Sequence, residues 1–77
     1  MPNVLLIGGR GNIGSGLRTY MPRLDSDYRI TSVDLPGSED RARDPDAQRD
    51  FVDLDIREQP DGLAALMADR DLVVYLA

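Results

Sequence analysis

Three glycines spaced three apart, Gly8, Gly11 and Gly14, follow a short apolar run and open the first helical pattern of the chain. An aspartate, Asp34, closes the next apolar segment, 20 residues after Gly14. Glycines at a strand-to-helix turn permit a sharp bend and let a ligand approach the backbone closely. The first N–H groups of the following helix lack intrahelical partners, and the helix dipole favours negative charge there. The chemistry on offer is therefore the holding of a phosphate or pyrophosphate. A carboxylate about 20 residues further on is the group that takes ribose hydroxyls in dinucleotide sites. Glycine turns also join strands to helices where no ligand binds. It is the conjunction of strand, glycine turn, helix and strand-end acid that points to a dinucleotide.

The elements that must position these residues can be read from periodicity. Val4 to Ile7 is a continuous apolar run, the pattern of a strand buried on both faces of a parallel sheet. Ile13, Leu17, Tyr20, Met21 and Leu24 recur at helical spacing, and Pro22 is expected to end or kink that helix near Met21. Tyr28 to Val33 reads as a second strand ending at Asp34, and residues 35–50, polar and with two prolines, read as a surface loop. Phe51 to Leu54 gives a third strand. Pro60 opens a second helix with Leu63, Leu66 and Met67 on its apolar face, and Leu72 to Leu76 gives a fourth strand. The order β-α-β-β-α-β predicts an α/β fold, the N-terminal half of a Rossmann-type parallel sheet with strand order 3-2-1-4. The fourth strand then lies at an edge. A complete doubly wound sheet would continue beyond it, so residues 1–77 are read as a truncated N-terminal part of an NAD(P)-binding domain, with the substrate domain absent.

Composition narrows the function. The chain of 77 residues is one small domain at most, and 42% hydrophobic with 30% charged residues is ordinary for a soluble protein. The net charge of −5 repels phosphate backbones, so nucleic acid is excluded as a partner. No cysteine or histidine is present, which removes disulfides, the usual zinc ligands and the usual general base. All nine basic residues are arginine and twelve of the fourteen acids are aspartate, a bias that a GC-rich genome or a high-salt cytoplasm would produce. The apolar run near the start is too short for a signal peptide or a membrane span, so the expected location is cytoplasmic, without membrane contact.

Four segments together resemble the extended short-chain dehydrogenase/reductase family, which includes NAD-dependent nucleotide-sugar epimerases and dehydratases. GGRGNIG, from Gly8 to Gly14, resembles the family's glycine loop, and VDLPG, with Asp34 and Leu35, resembles its acid-ended second strand. DLDIRE resembles the segment after the third strand, where Asp55 and Ile56 would bracket the adenine. DLVVYLA resembles the fourth-strand motif, with Leu76 and Ala77 close to the cofactor. Ile7 stands where threonine is usual and Tyr75 where histidine is usual. The resemblance implies cofactor contacts from Gly8, Arg10, Gly11, Asn12, Ile13, Gly14, Asp34, Leu35, Asp55, Ile56, Leu76 and Ala77. For the full protein it implies a homodimeric NAD-dependent sugar epimerase, dehydratase or uronate-type dehydrogenase acting on a sugar or nucleotide sugar. A non-catalytic redox sensor of the same fold is the alternative, to be separated by a downstream Tyr-x-x-x-Lys.

Several residues carry two readings. Arg10 is either an exposed charge or lies over the cofactor, and Asp55 either caps a turn or meets adenine. Asp53 points to solvent or to a neighbouring loop arginine. Tyr20, Tyr28 and Tyr75 read as packing residues. Asp34 favours NAD over NADP, because a carboxylate beside a 2′-phosphate is repulsive. The family's tyrosine–lysine pair is missing, since no lysine exists and no catalytic residue can be assigned. This segment therefore binds and orients, and the cofactor carries the chemistry.

Overall fold

The computed structural model describes residues 3–25, 27–44 and 47–76. The elements are β1 (Asn3–Ile7), α1 (Asn12–Leu24), β2 (Arg29–Asp34), β3 (Asp50–Asp53), α2 (Pro60–Met67) and β4 (Leu72–Tyr75). The four strands form one sheet in the order β3-β2-β1-β4, and every neighbouring pair is parallel. This is the α/β architecture and strand order expected from the alternation of patterns. Apart from the end of α1, each boundary lies within about two residues of expectation, the usual play at element ends.

Strand alternation sorts the core into two layers. Val4, Leu6 and Ile30 point to one face and pack with Leu17 and Met21 of α1. Leu5, Ile7 and Val33 point to the other and pack with Leu63 and Leu66 of α2. β1 is apolar at consecutive positions because each of its faces has a helix to meet. In register, Ile7 lies between Val33 and Tyr75, and Asp34 lies beside Asp53. The ends of the strands thus bring the glycine turn, Asp34 and the segment after β3 to one side of the molecule.

Two expectations about the helices require correction. Pro22 does not end α1 near Met21; the helix runs past it to Leu24. Proline cannot donate to the carbonyl of Arg18, and the backbone N–H of Gln48 takes that carbonyl instead, at 3.2 Å. The expected apolar face is also only half right. Leu17 and Met21 pack, but Ile13, Tyr20 and Leu24 are exposed at 69%, 62% and 84%. The buried residues of α1 are Gly14, Ser15, Arg18 and Thr19, turned toward the glycine loop and the 38–48 segment. Met67 of α2, expected in the apolar face, is likewise exposed.

Candidate functional site

The glycine loop is shaped residue by residue. Gly8 has φ +91°, a left-handed conformation that a side chain would strain, and its N–H donates to Val33 O at 2.8 Å. Gly9 lies directly on β2, where a Cβ would come within 2.5 Å of Ser32 Cβ. Gly14 packs against Gly9, where a Cβ would stand 2.6–2.7 Å from backbone atoms of Gly9. The helix therefore rests on the loop, and the loop rests on the strand, through three small residues. Gly11 differs: its φ is −71°, and a Cβ there would meet nothing closer than Gly8 O at 3.6 Å. The protein's own packing does not require glycine at that position.

Gly11 is the N-cap of α1, and it supplies no side-chain cap; no acidic residue stands in the first turn. Asn12 and Ile13, the first helical residues, are exposed. The positive end of α1 consequently faces outward without an internal anion to satisfy it.

Asp34 stands next to this turn. Its Oδ2 accepts the Arg10 backbone N–H at 2.9 Å, and its Oδ1 accepts the Leu35 N–H at 3.2 Å and a long 3.5 Å bond from Ser38. A carboxylate has about four lone-pair positions, so capacity remains for an outside donor. Beside it opens a mainly apolar cleft of about 280 Å³. Ile7, Gly8, Val33 and Tyr75 line part of it. Asp34, Leu35 and the segment Leu54 to Arg57 line the rest.

Asp55 and Ile56 thus share one cleft with Gly8, Asp34 and Leu35. Asp55 also caps the turn that leads to α2: its carboxylate accepts the Arg57 N–H at 3.0 Å, and its carbonyl accepts the N–H groups of Glu58 and Gln59. The Arg57 backbone bond holds its carboxyl below the ordinary range against the opposing pull of desolvation. Asp55 therefore caps a turn, one of its two expected readings, while lining the cleft. Leu76 donates its N–H to Ile7 O at 2.8 Å, at the end of β1. Ala77 lies outside the described residues. Tyr75 is exposed and lines the cleft, and Tyr20 is exposed with Arg23 over its ring at 5.2 Å; only Tyr28 packs against the core.

The arginines were the least legible part of the site. Arg10 is not an exposed charge; it is buried beside the glycine loop. Its guanidinium pairs with Asp53, donates to Leu35 O at 3.3 Å and stacks over Phe51 at 4.6 Å. Asp53 thus meets a loop arginine, one of its two expected partners. Almost nothing local in the sequence marks Arg18, yet its side chain is fully buried. Its Nε donates to Gly9 O at 2.8 Å, its Nη1 donates to Gln48 O at 2.9 Å, and its Nη2 pairs with Asp40. It too stacks over Phe51, at 4.8 Å. Arg18 ties the glycine loop to the 40–48 segment. Burial alone would raise the Asp40 carboxyl, but the Arg18 hydrogen bond, the Ala42 N–H and the charges of Arg18 and Arg49 together hold it below 3.8. The only hint in the sequence was an arginine amid the apolar spacing of the first helix, a pattern that ordinarily places the charge in solvent.

Comparison with family models, with curated proteins and with solved structures found no match. Among the described residues, no helix is long and apolar enough to cross a membrane.

Proposed function

We propose that this chain is the NAD-binding part of a Rossmann-type oxidoreductase or epimerase acting on a sugar or nucleotide sugar. The carrying observation is a convergence at the C-terminal ends of β1 and β2. An uncapped helix N-terminus, a carboxylate with spare acceptor capacity and an apolar cleft lie beside one another there. In open parallel sheets ligands bind outside the carboxyl ends of the strands, where the strand order reverses. In the order β3-β2-β1-β4 that reversal falls between β1 and β4, and Gly8 and Tyr75 flank it. The residues fit the adenosine-diphosphate half of the cofactor. The amides around Gly11 and Asn12 suit the pyrophosphate, Asp34 the adenosine ribose, and the walls formed by Ile56, Leu35 and Val33 an aromatic base. The small size of Gly11, which internal packing does not demand, leaves room for a pyrophosphate.

When bound, NAD supplies hydride transfer. The chain's own residues bind and orient it. Calorimetric titration with NAD and with ADP-ribose tests the reading: both are expected to bind, and Asp34→Ala is expected to weaken both. Absence of binding by the folded protein would overturn it.

A further inference from the structure

The pairing of Arg10 with Asp53 carries an inference that rests on the nucleotide-binding reading above. Asp34 and Asp53 are register partners on adjacent parallel strands, so their side chains leave the sheet on the same face. Arg10 reaches that face from the glycine loop. Its backbone N–H is held by Asp34, and its guanidinium is held by Asp53, by Leu35 O and by the ring of Phe51. The Arg10 side chain is only 10% exposed, whereas that of Asp53 is 54% exposed. Two carboxylates and one guanidinium therefore meet at the end of β2, with a formal sum of −1.

We propose that Asp53 is a specificity-determining residue: by holding Arg10 in a closed pair beside Asp34, it denies this arginine to a ribose 2′-phosphate and restricts the site to nucleotides with a free 2′-hydroxyl. An arginine near the ribose is the usual means of accommodating a 2′-phosphate. Here such an arginine is present and already engaged. Neutralising Asp53 breaks the charged pair and brings the local sum to zero. The guanidinium then keeps one neutral carbonyl acceptor and a ring, and both are weaker restraints than a carboxylate. Asp53 acts through Arg10 and need not touch the cofactor, so it is a positioning residue for discrimination.

The test is calorimetric titration of wild type, Asp53→Asn, Asp53→Glu, Arg10→Met and the Arg10→Met/Asp53→Asn double variant with NAD and NADP. Far-UV circular dichroism confirms folding of each. Wild type is expected to favour NAD. Asp53→Asn is expected to tighten NADP by about tenfold or more while NAD changes by less than about threefold, a contrast set by charge complementarity at the 2′-position. Asp53→Glu, which can rebuild the pair, is expected to restore the wild-type ratio. In the Arg10→Met background Asp53→Asn should move the NADP/NAD ratio little, because the arginine it would release is gone. A ratio in folded Asp53→Asn within about twofold of wild type would overturn the inference and leave the nucleotide-binding reading intact. Equal gains with and without Arg10 would overturn it too, by showing a bare charge effect. If Asp53→Asn fails to fold, unchanged NADP discrimination in Asp53→Ser decides against it in the same way. Binding of neither nucleotide by wild type would remove both readings together.

Discussion

Replacing Arg18 with methionine should be the most damaging single change in this chain outside the hydrophobic core. Methionine has similar length but no charge and no donors. The change leaves Gly9 O and Gln48 O without their guanidinium donors and removes the principal partner of Asp40. Removing one partner of a buried ion pair costs about 3–5 kcal/mol. Asp40 keeps 24% of its side chain in water and has Arg49 at 3.5 Å, which moves the expectation to the lower part of that range. Buried carbonyls that lose a donor add on the order of 1 kcal/mol. The expected loss is therefore about 3–4 kcal/mol. A chain of 77 residues has only about 4–12 kcal/mol of stability in total. Urea denaturation followed by far-UV circular dichroism reads the effect. With a slope near 1 kcal/mol per molar, the midpoint should fall by about 3 M, or the variant should be unfolded without urea. Arg18→Met/Asp40→Leu, which also removes the orphaned carboxylate, should recover part of the loss. A midpoint shift below about 0.5 M in Arg18→Met would refute the claim that this guanidinium braces the loop.

Three further expectations follow from the same geometry. Asp40 is held below 3.8, so the unfolded chain takes up its proton first as pH falls; the contribution is complete well above pH 4 and is lost as pH drops through the folded value. Urea midpoints between pH 7 and pH 3 should therefore fall further for wild type than for Asp40→Asn, and equal losses would rule this out. Gly11→Ala should fold normally yet bind NAD at least about tenfold more weakly, whereas Gly14→Ala should lose stability because its Cβ meets Gly9 backbone at 2.6–2.7 Å. Thermal melts and NAD titrations of the pair distinguish the two roles; a stable Gly14→Ala or an unimpaired Gly11→Ala would contradict them. Ser32 carries a buried hydroxyl with no partner among the described residues, so Ser32→Ala should be neutral or slightly stabilising, within about 1 kcal/mol, by chemical denaturation.

The fold was legible because it rests on patterns that hydrophobic burial enforces. β1 is apolar at four consecutive positions, and only a strand covered on both faces needs that. Leu63 and Leu66 face the core at helical spacing, and Gly8 to Gly14 mark the turn between strand and helix. The placement of Asp34 and Asp55 on one cleft followed from the strand order, since parallel strands bring their C-terminal ends to one side. What was not legible was the partner of each arginine. Arg10, Arg18, Asp40 and Asp53 are spread over more than forty positions, and nothing local specifies their pairing. The end of α1 differs from expectation for the same reason. Pro22 is a local stop, but the carbonyl it abandons is satisfied by Gln48, 30 residues from Arg18. The polar segment after β2 is a surface loop, as its composition predicts. It lies down on α1 because a buried guanidinium needs its acceptors.

Gln48 does more than serve the helix. Its side-chain Oε1 accepts the Ile30 N–H at 2.7 Å, and its Nε2 donates to Tyr28 O at 2.7 Å. These are the two backbone groups that a strand residue beside β2 would otherwise engage, just before β3 begins its own pairing at Asp50. A side-chain amide thus stands in for a peptide unit and lengthens the ladder. Its backbone N–H and carbonyl meanwhile hold Arg18. The strand's first rung and the helix's missing rung consequently close through one residue, so they should open together. In hydrogen exchange the amides of Ile30 and Gln48 should show matching protection, and Gln48→Ala should release both at once.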